Sequence, residues 1–275
     1  MGLEALAFLG QALRNARLTA GVLLCASLLG GCAGLFPQTA ALRDAPPEGL
    51  PQRVELKQVP FFPQDEYQCG PAALATALVA SGVKVTPEEL VPQVYLPERK
   101  GSLQVEMLAA SRRHGRIAYQ LAPRFEDLLR ELAAGTPVIV LWDQSPVGGW
   151  HYAVVVGYDF EAGDLYLRSG ENERQVVSFP LHEFMWLRSG YWAMVAMPPD
   201  RIPATAEEAR WLSAIAATER ASGGAAAART AYTQFLQRWP RNPGAAIGLA
   251  NAHYALKELP AAERALRDAV EWDPK

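Results

Sequence analysis

Gln68-Cys69-Gly70-Pro71-Ala72-Ala73-Leu74-Ala75-Thr76-Ala77-Leu78 places a thiol directly ahead of a run of strong helix formers with apolar residues at helical spacing. Pro71 suits the first turn of a helix, where backbone N–H groups have no intrahelical partner. The sulfur of Cys69 therefore belongs at a helix N-terminus, which carries about half a positive charge and free donors. Such a setting is expected to lower a thiol pKa and favour the nucleophilic thiolate. The stretch points to a cysteine hydrolase built around this helix.

The surrounding chain narrows the role of Cys69. Arg14 and Arg17 precede an apolar stretch, Leu18 to Leu29, that ends in Leu29-Gly30-Gly31-Cys32. A basic flank, a short apolar core and small residues before a cut describe an export signal over 1–31. The stretch is shorter than the about 20 apolar residues a membrane span takes. Leu-Gly-Gly-Cys resembles the lipobox of bacterial lipoproteins, which implies that Cys32 becomes the acylated first residue. Ala33 in place of Asp, by the same resemblance, implies the outer membrane. The plainer alternatives are an ordinary signal with an accidental cysteine and a buried N-terminal helix. Cys25 would leave with the signal, so Cys69 is expected as the one free thiol, reactive or buried and inert. Four histidines (His114, His151, His182, His253) and the one unmodified cysteine that export and acylation would leave of three support no structural zinc site, and no cofactor is expected.

Composition and order then bound the fold. Hydrophobic residues make up 50% of 275, enough for a sizeable core. The net charge of −3 and the lack of a basic stripe argue against nucleic acid as a partner. Residues 32–53, with Pro37, Pro46, Pro47, Gly49 and Pro51, read as a lipidated cysteine and a flexible tether. The main domain is expected over 54–200. Its first half is helical: the Cys69 helix, a helix capped by Thr86 with Pro87 behind it, one from Leu103 to His114 begun by Ser102, and one from Phe125 to Ala134. Its second half carries strand patterns at 137–142, 152–158, 164–168, 175–179 and 191–197. Short connections make this sheet largely antiparallel, so the class is α+β. Over 203–275 helical patterns recur, and Ala228, Tyr232 and Pro240 match Ala262, Leu266 and Pro274 at a period of 34 residues. That period resembles the tetratricopeptide repeat, with a plain four-helix appendage as the alternative. So few repeats are expected to dock on the main domain or on a partner.

A nucleophilic thiol needs a base and an oxyanion site. His151, in Gly148-Gly149-Trp150-His151-Tyr152-Ala153-Val154, starts a buried strand after a glycine-containing loop and is the best candidate base. His114 is explained by its place at a helix C-terminus. His182 reads as part of a polar helix start, and His253 as a repeat residue. Gln64, five residues before Cys69, can donate to an oxyanion together with the Cys69 N–H; otherwise it is an exposed turn residue. Trp142 and Trp186 read as core, and Trp150 as the rim of a cleft.

Val59-Pro60-Phe61-Phe62-Pro63-Gln64, then Cys69-Gly70-Pro71-Ala72, then Gly149 to Asp159, resembles the bacteriocin-processing double-glycine cysteine peptidases and their lipoprotein relatives. The resemblance covers about 58–198. It implies a compact papain-like fold with Cys69 as nucleophile, His151 as base and Gln64 as oxyanion donor. The sequence departs from that pattern where the family's third residue is Asp or Asn. Arg168-Ser169-Gly170 stands there, so Ser169 falls at the third position, with Asn172 and Glu171 nearby. A hydroxyl orients an imidazole but stabilises imidazolium less than a carboxylate does. Three activities follow: a lipid-anchored periplasmic peptidase whose repeats bind a protein, an inactive peptide-binding adaptor, or an acyl-transfer enzyme such as a transpeptidase or amidase.

Overall fold

The computed structural model describes residues 36–64, 68–145 and 149–273. The expected signal segment and Cys32 lie outside the described residues. The chain divides after Pro46 into two units. The described part of the first carries a helix, α1 (Pro37–Asp44), with Pro37 in its first turn. The stretch expected as tether therefore contains a helix, and its far end, Arg53–Glu55, is a strand (β1) of the second unit.

In the second unit, α2 (Cys69–Ala80) is buried from Gly70 through Leu78. A helix apolar on every side belongs inside a protein. Its alanines let neighbouring elements approach closely. Helix α3 (Pro87–Val94) opens with the expected cap, closed as a full capping box: Thr86 N–H donates to the Glu89 carboxylate at 2.9 Å and Glu89 N–H to Thr86 Oγ1 at 3.4 Å. Two short strands, β2 (Tyr95–Leu96) and β3 (Gly101–Ser102), pair with each other. Ser102 thus lies in a strand, and the cap of α4 (Gln104–Arg113) is Leu103, with no side-chain bond. The expected capping role of Ser102 is overturned because the β2–β3 pairing claims its backbone.

The sheet is antiparallel throughout. Its strands are β4 (Ile117–Gln120), β5 (Val138–Asp143), β6 (Trp150–Asp159), β7 (Asp164–Ser169), β8 (Asn172–Ser178) and β9 (Ala193–Met197). They lie in the order β4-β9-β5-β6-β7-β8, and β1 pairs with the far end of β6. Helix α5 (Phe125–Ala133) packs on β5 and β6, and α6 (Phe179–Leu187) on β5, β7 and β8. Trp142 and Trp186 are fully buried, as their apolar surroundings in the sequence suggested.

His182 is the main surprise in this layer. It was expected on a polar helix start, yet it is wholly buried on α6 between the rings of Phe125, Trp142 and Trp186. Trp142 Nε1 donates to its Nδ1 at 3.0 Å. Burial lowers its pKa to about 3, so it is neutral. The α6 pattern misleads because Leu181, Phe184 and Leu187 are the exposed side chains and the polar ring is turned inward.

Four helices follow: α7 (Glu208–Glu219), α8 (Ala225–Arg238), α9 (Pro243–Ala255) and α10 (Leu259–Trp272). Gly248 on α9 lies against Tyr232 on α8 so closely that a Cβ would stand 2.2 Å from the ring. The helical part of the chain that begins with α7 docks on the sheet's β4 edge. Tyr119 packs edge-on against Trp211 with centroids 5.6 Å apart, and the Glu207 N–H donates to Tyr119 Oη at 3.2 Å. The buried Glu131 carboxylate accepts from the Thr205 N–H at 2.8 Å and from its hydroxyl at 2.7 Å.

Candidate active site

Cys69 is the first residue of α2, and the residue before it, Gln68, supplies no side-chain cap. The helix donors therefore stay available to the sulfur. Backbone N–H groups of Tyr152, Gly70 and Cys69 itself favour its thiolate, but burial outweighs them and raises the pKa. The expected low thiol pKa is corrected on this point: donors at a helix start lose to the low-dielectric surroundings that the packed fold creates.

Gly70 has a steric reason. A Cβ there would stand 2.1 Å from Ser102 Oγ. Ser102 in turn accepts, through its carbonyl, from Tyr152 Oη at 3.3 Å. The β2–β3 pair thus braces the nucleophile helix against β6, the strand that carries the candidate base.

His151 is the second residue of β6 and pairs with Trp142 of β5. Trp150, just ahead of it, is 58% exposed, which puts it at the rim. His151 Nε2 lies 2.9 Å from the hydroxyl of Ser169, the last residue of β7. Ser169 is buried. With Nε2–H donating to Oγ, Nδ1 carries the lone pair that a thiol proton requires. Burial lowers the His151 pKa to about 4. Glu171 and Asn172 are exposed, and among the described residues neither bonds His151.

Gln64 is held by its backbone, which donates from N–H to the Gly170 carbonyl at 3.1 Å. Its Oε1 is buried without a hydrogen-bond partner among the described residues. Rotating the amide exchanges that oxygen for the NH2 an oxyanion needs. The other histidines stand apart. His114 Nε2 lies 3.2 Å from Gln93 Nε2, and His253 Nδ1 lies 2.5 Å from Glu258 on the repeats. Among the described residues no cluster is able to hold a metal ion.

Residues 56–185 match the family described as Peptidase_C39 like family, and residues 219–275 match the tetratricopeptide repeat. The chain carries a C39-like peptidase domain followed by tetratricopeptide repeats. One similar solved structure is a C39-like peptidase from Bacillus anthracis, at 17% identity and a TM-score of 0.43; the match covers 52% of this chain and 96% of that one. Another is a double glycine motif protease from an AMS/PCAT transporter in complex with the leader peptide, at 20% identity and a TM-score of 0.39, covering 50% of this chain and 91% of that one. No curated protein matches the chain. The C39-like domain's helices precede most of an antiparallel sheet, so the α+β class stands.

Two features of the C39-like domain escaped sequence reasoning. The Tyr152 backbone at the sulfur carries no sequence signature. Arg168, a charged residue inside the apolar strand Leu165-Tyr166-Leu167-Arg168, was legible as an anomaly but pointed to no partner.

Proposed function

We propose that this protein is a lipid-anchored cysteine peptidase that hydrolyses peptide bonds, with its repeats binding a protein partner. The observation that carries the reading is the 2.9 Å approach of His151 Nε2 to Ser169 Oγ, which in the tautomer with Nε2–H donating leaves Nδ1 as proton acceptor beside the strand residue whose N–H faces Cys69. Family membership of residues 56–185 supports it.

In this reading the resting pair is a neutral thiol and a neutral imidazole. As Sγ bonds to the scissile carbonyl carbon, His151 takes the thiol proton and the carbonyl π electrons move to oxygen. The Cys69 N–H and the Gln64 amide stabilise that oxyanion. The oxyanion collapses, the C–N bond breaks, and the His151 imidazolium gives its proton to the leaving amine. Water, deprotonated by His151, then attacks the acyl-Cys69, and the thiol returns as leaving group.

The export signal and the Cys32 lipobox read from the sequence support placement in the bacterial envelope, facing the periplasm from the outer membrane. Mass spectrometry of the mature chain tests this: it should begin at an acylated Cys32, and a chain retaining residues 1–31 overturns the anchor.

A second reading, a peptide-binding adaptor, is favoured by Ser169 in place of a carboxylate. A peptide library incubated with the protein separates the two. Cleaved peptides and an acyl group on Cys69, both absent in Cys69→Ala, support the peptidase. Peptides bound but uncut, with Cys69 never acylated, leave the adaptor.

A further inference from the structure

Arg168 and its neighbours form a junction that the peptidase reading does not use. Arg168 is 6% exposed. Nε and one terminal nitrogen donate to the Val59 carbonyl at 3.3 and 3.1 Å, and the other terminal nitrogen donates to the Glu173 carbonyl. Among the described residues no carboxylate bonds it. Burying a cation on carbonyls alone is unfavourable when an apolar side chain would fill the same space. The retained charge points to a geometric requirement, since the planar fork fixes two separate acceptors at once.

Those acceptors show what is being fixed. Val59 begins the segment that leads to Gln64. The far end of that segment is tied by the Gln64 N–H to the Gly170 carbonyl. Three consecutive residues thus hold three different things. Arg168 holds the start of the oxyanion segment, Ser169 holds His151, and Gly170 holds the end of the segment.

We propose that Arg168 is a positioning residue that locks the Val59–Gln64 segment to the tripeptide orienting His151, so that oxyanion donor and base keep one geometry. The inference rests on the peptidase reading. It acts through Gln64 and not on the thiol. Reagents that need an oxyanion donor should therefore respond to Arg168, and reagents that need only the sulfur should not.

The test compares the full chain with Arg168→Met and Arg168→Lys. A dipeptidyl aldehyde, which forms a tetrahedral adduct, is set against iodoacetamide, with alkylation read on the Cys69 peptide. Amide hydrogen exchange is followed at the N–H groups that 60–64 carries, those of Phe61, Phe62 and Gln64. In Arg168→Met, aldehyde affinity should fall about 10- to 100-fold, less than the about 10²- to 10³-fold cost of removing an oxyanion donor outright, because Gln64 is displaced and not deleted. Iodoacetamide should react as before, and 60–64 should exchange faster. Arg168→Lys, which keeps the charge and loses the fork, should fall between; it carries the comparison if Arg168→Met does not fold. Unchanged aldehyde affinity overturns the proposal, as does an equal loss of aldehyde binding and alkylation. A wild-type protein that is alkylated but never binds aldehyde sinks the peptidase reading instead. The tie is then judged by exchange alone, and unchanged exchange in Arg168→Met removes it.

Discussion

Burial pushes the Cys69 thiol up and the His151 imidazole down to about 4, and both shifts favour the neutral form. In the peptidase reading the resting pair is therefore the neutral thiol and imidazole. Iodoacetamide should alkylate Cys69 slowly at neutral pH, with a rate that climbs only above the ordinary thiol range of about 8.5. A rate plateau below pH 7 would refute the neutral pair. Ser169 is the lever on this balance. Ser169→Ala removes one hydrogen bond to His151 and should lower kcat/KM about tenfold, the equivalent of roughly 1.4 kcal/mol. Ser169→Asp supplies a carboxylate and should raise the His151 pKa, moving the acid limb of the pH–rate profile upward. The acid limb of the unaltered protein should lie near pH 4. His182 makes a separate prediction about stability. Its folded pKa of about 3 lies below the unfolded value of about 6.5. Below pH 6.5 the unfolded chain binds a proton that the folded one refuses. Stability is therefore full above that pH and declines as pH falls toward 3, by up to about 1.4 kcal/mol per unit from this group. His182→Gln keeps an acceptor for Trp142 and should flatten the decline in urea-melt stability between pH 6 and 4.

At the scale of elements, sequence pattern was a good guide wherever one face or one period dominated. The capping box of α3 and the strands at 138–143 and 164–169 follow directly from residue order. The pattern failed where long-range contact set the local state. Ser102 has the look of a helix cap, but pairing of Tyr95 with Ser102 draws it into β3. The short β4 gave no clear signal because its identity rests on pairing with β9, far along the chain. Within the repeats, close helix approach is set by one missing side chain. Gly248→Ala should force the buried Tyr232 ring to shift, although its hydroxyl is held by Glu219 at 2.7 Å. The expected loss is about 1–3 kcal/mol by denaturant melt, the usual range for overpacking. A loss within error would mean that the α8–α9 contact is looser than the structure has it.

At the largest scale, the C39-like domain and the C-terminal helices from α7 onward share a joint built from Tyr119, Trp211, Glu131 and Thr205. Trp211 and Tyr119 are both buried in it. Such a joint should couple the two parts into one unfolding transition. Trp211→Ala removes the large apolar contact, should cost about 3–5 kcal/mol, and should split the calorimetric trace into two transitions. A wild-type trace that is already split would mean that the joint transmits little.

The residue string alone determined that a thiol begins a helix, that a histidine begins a buried strand, that the sheet is antiparallel and that paired helices close the chain. These are local facts, set by spacing, caps and apolar period. It also marked Ser169 as the departure from the family pattern. Only the tertiary structure decided that Ser169 bonds His151, that Glu171 and Asn172 stay outside, that His182 is buried and that Arg168 joins two segments of the site. It also reversed the expected thiol shift. Each of these depends on which distant segments exclude water from a side chain and which groups they leave as its partners, and residue order does not carry that information.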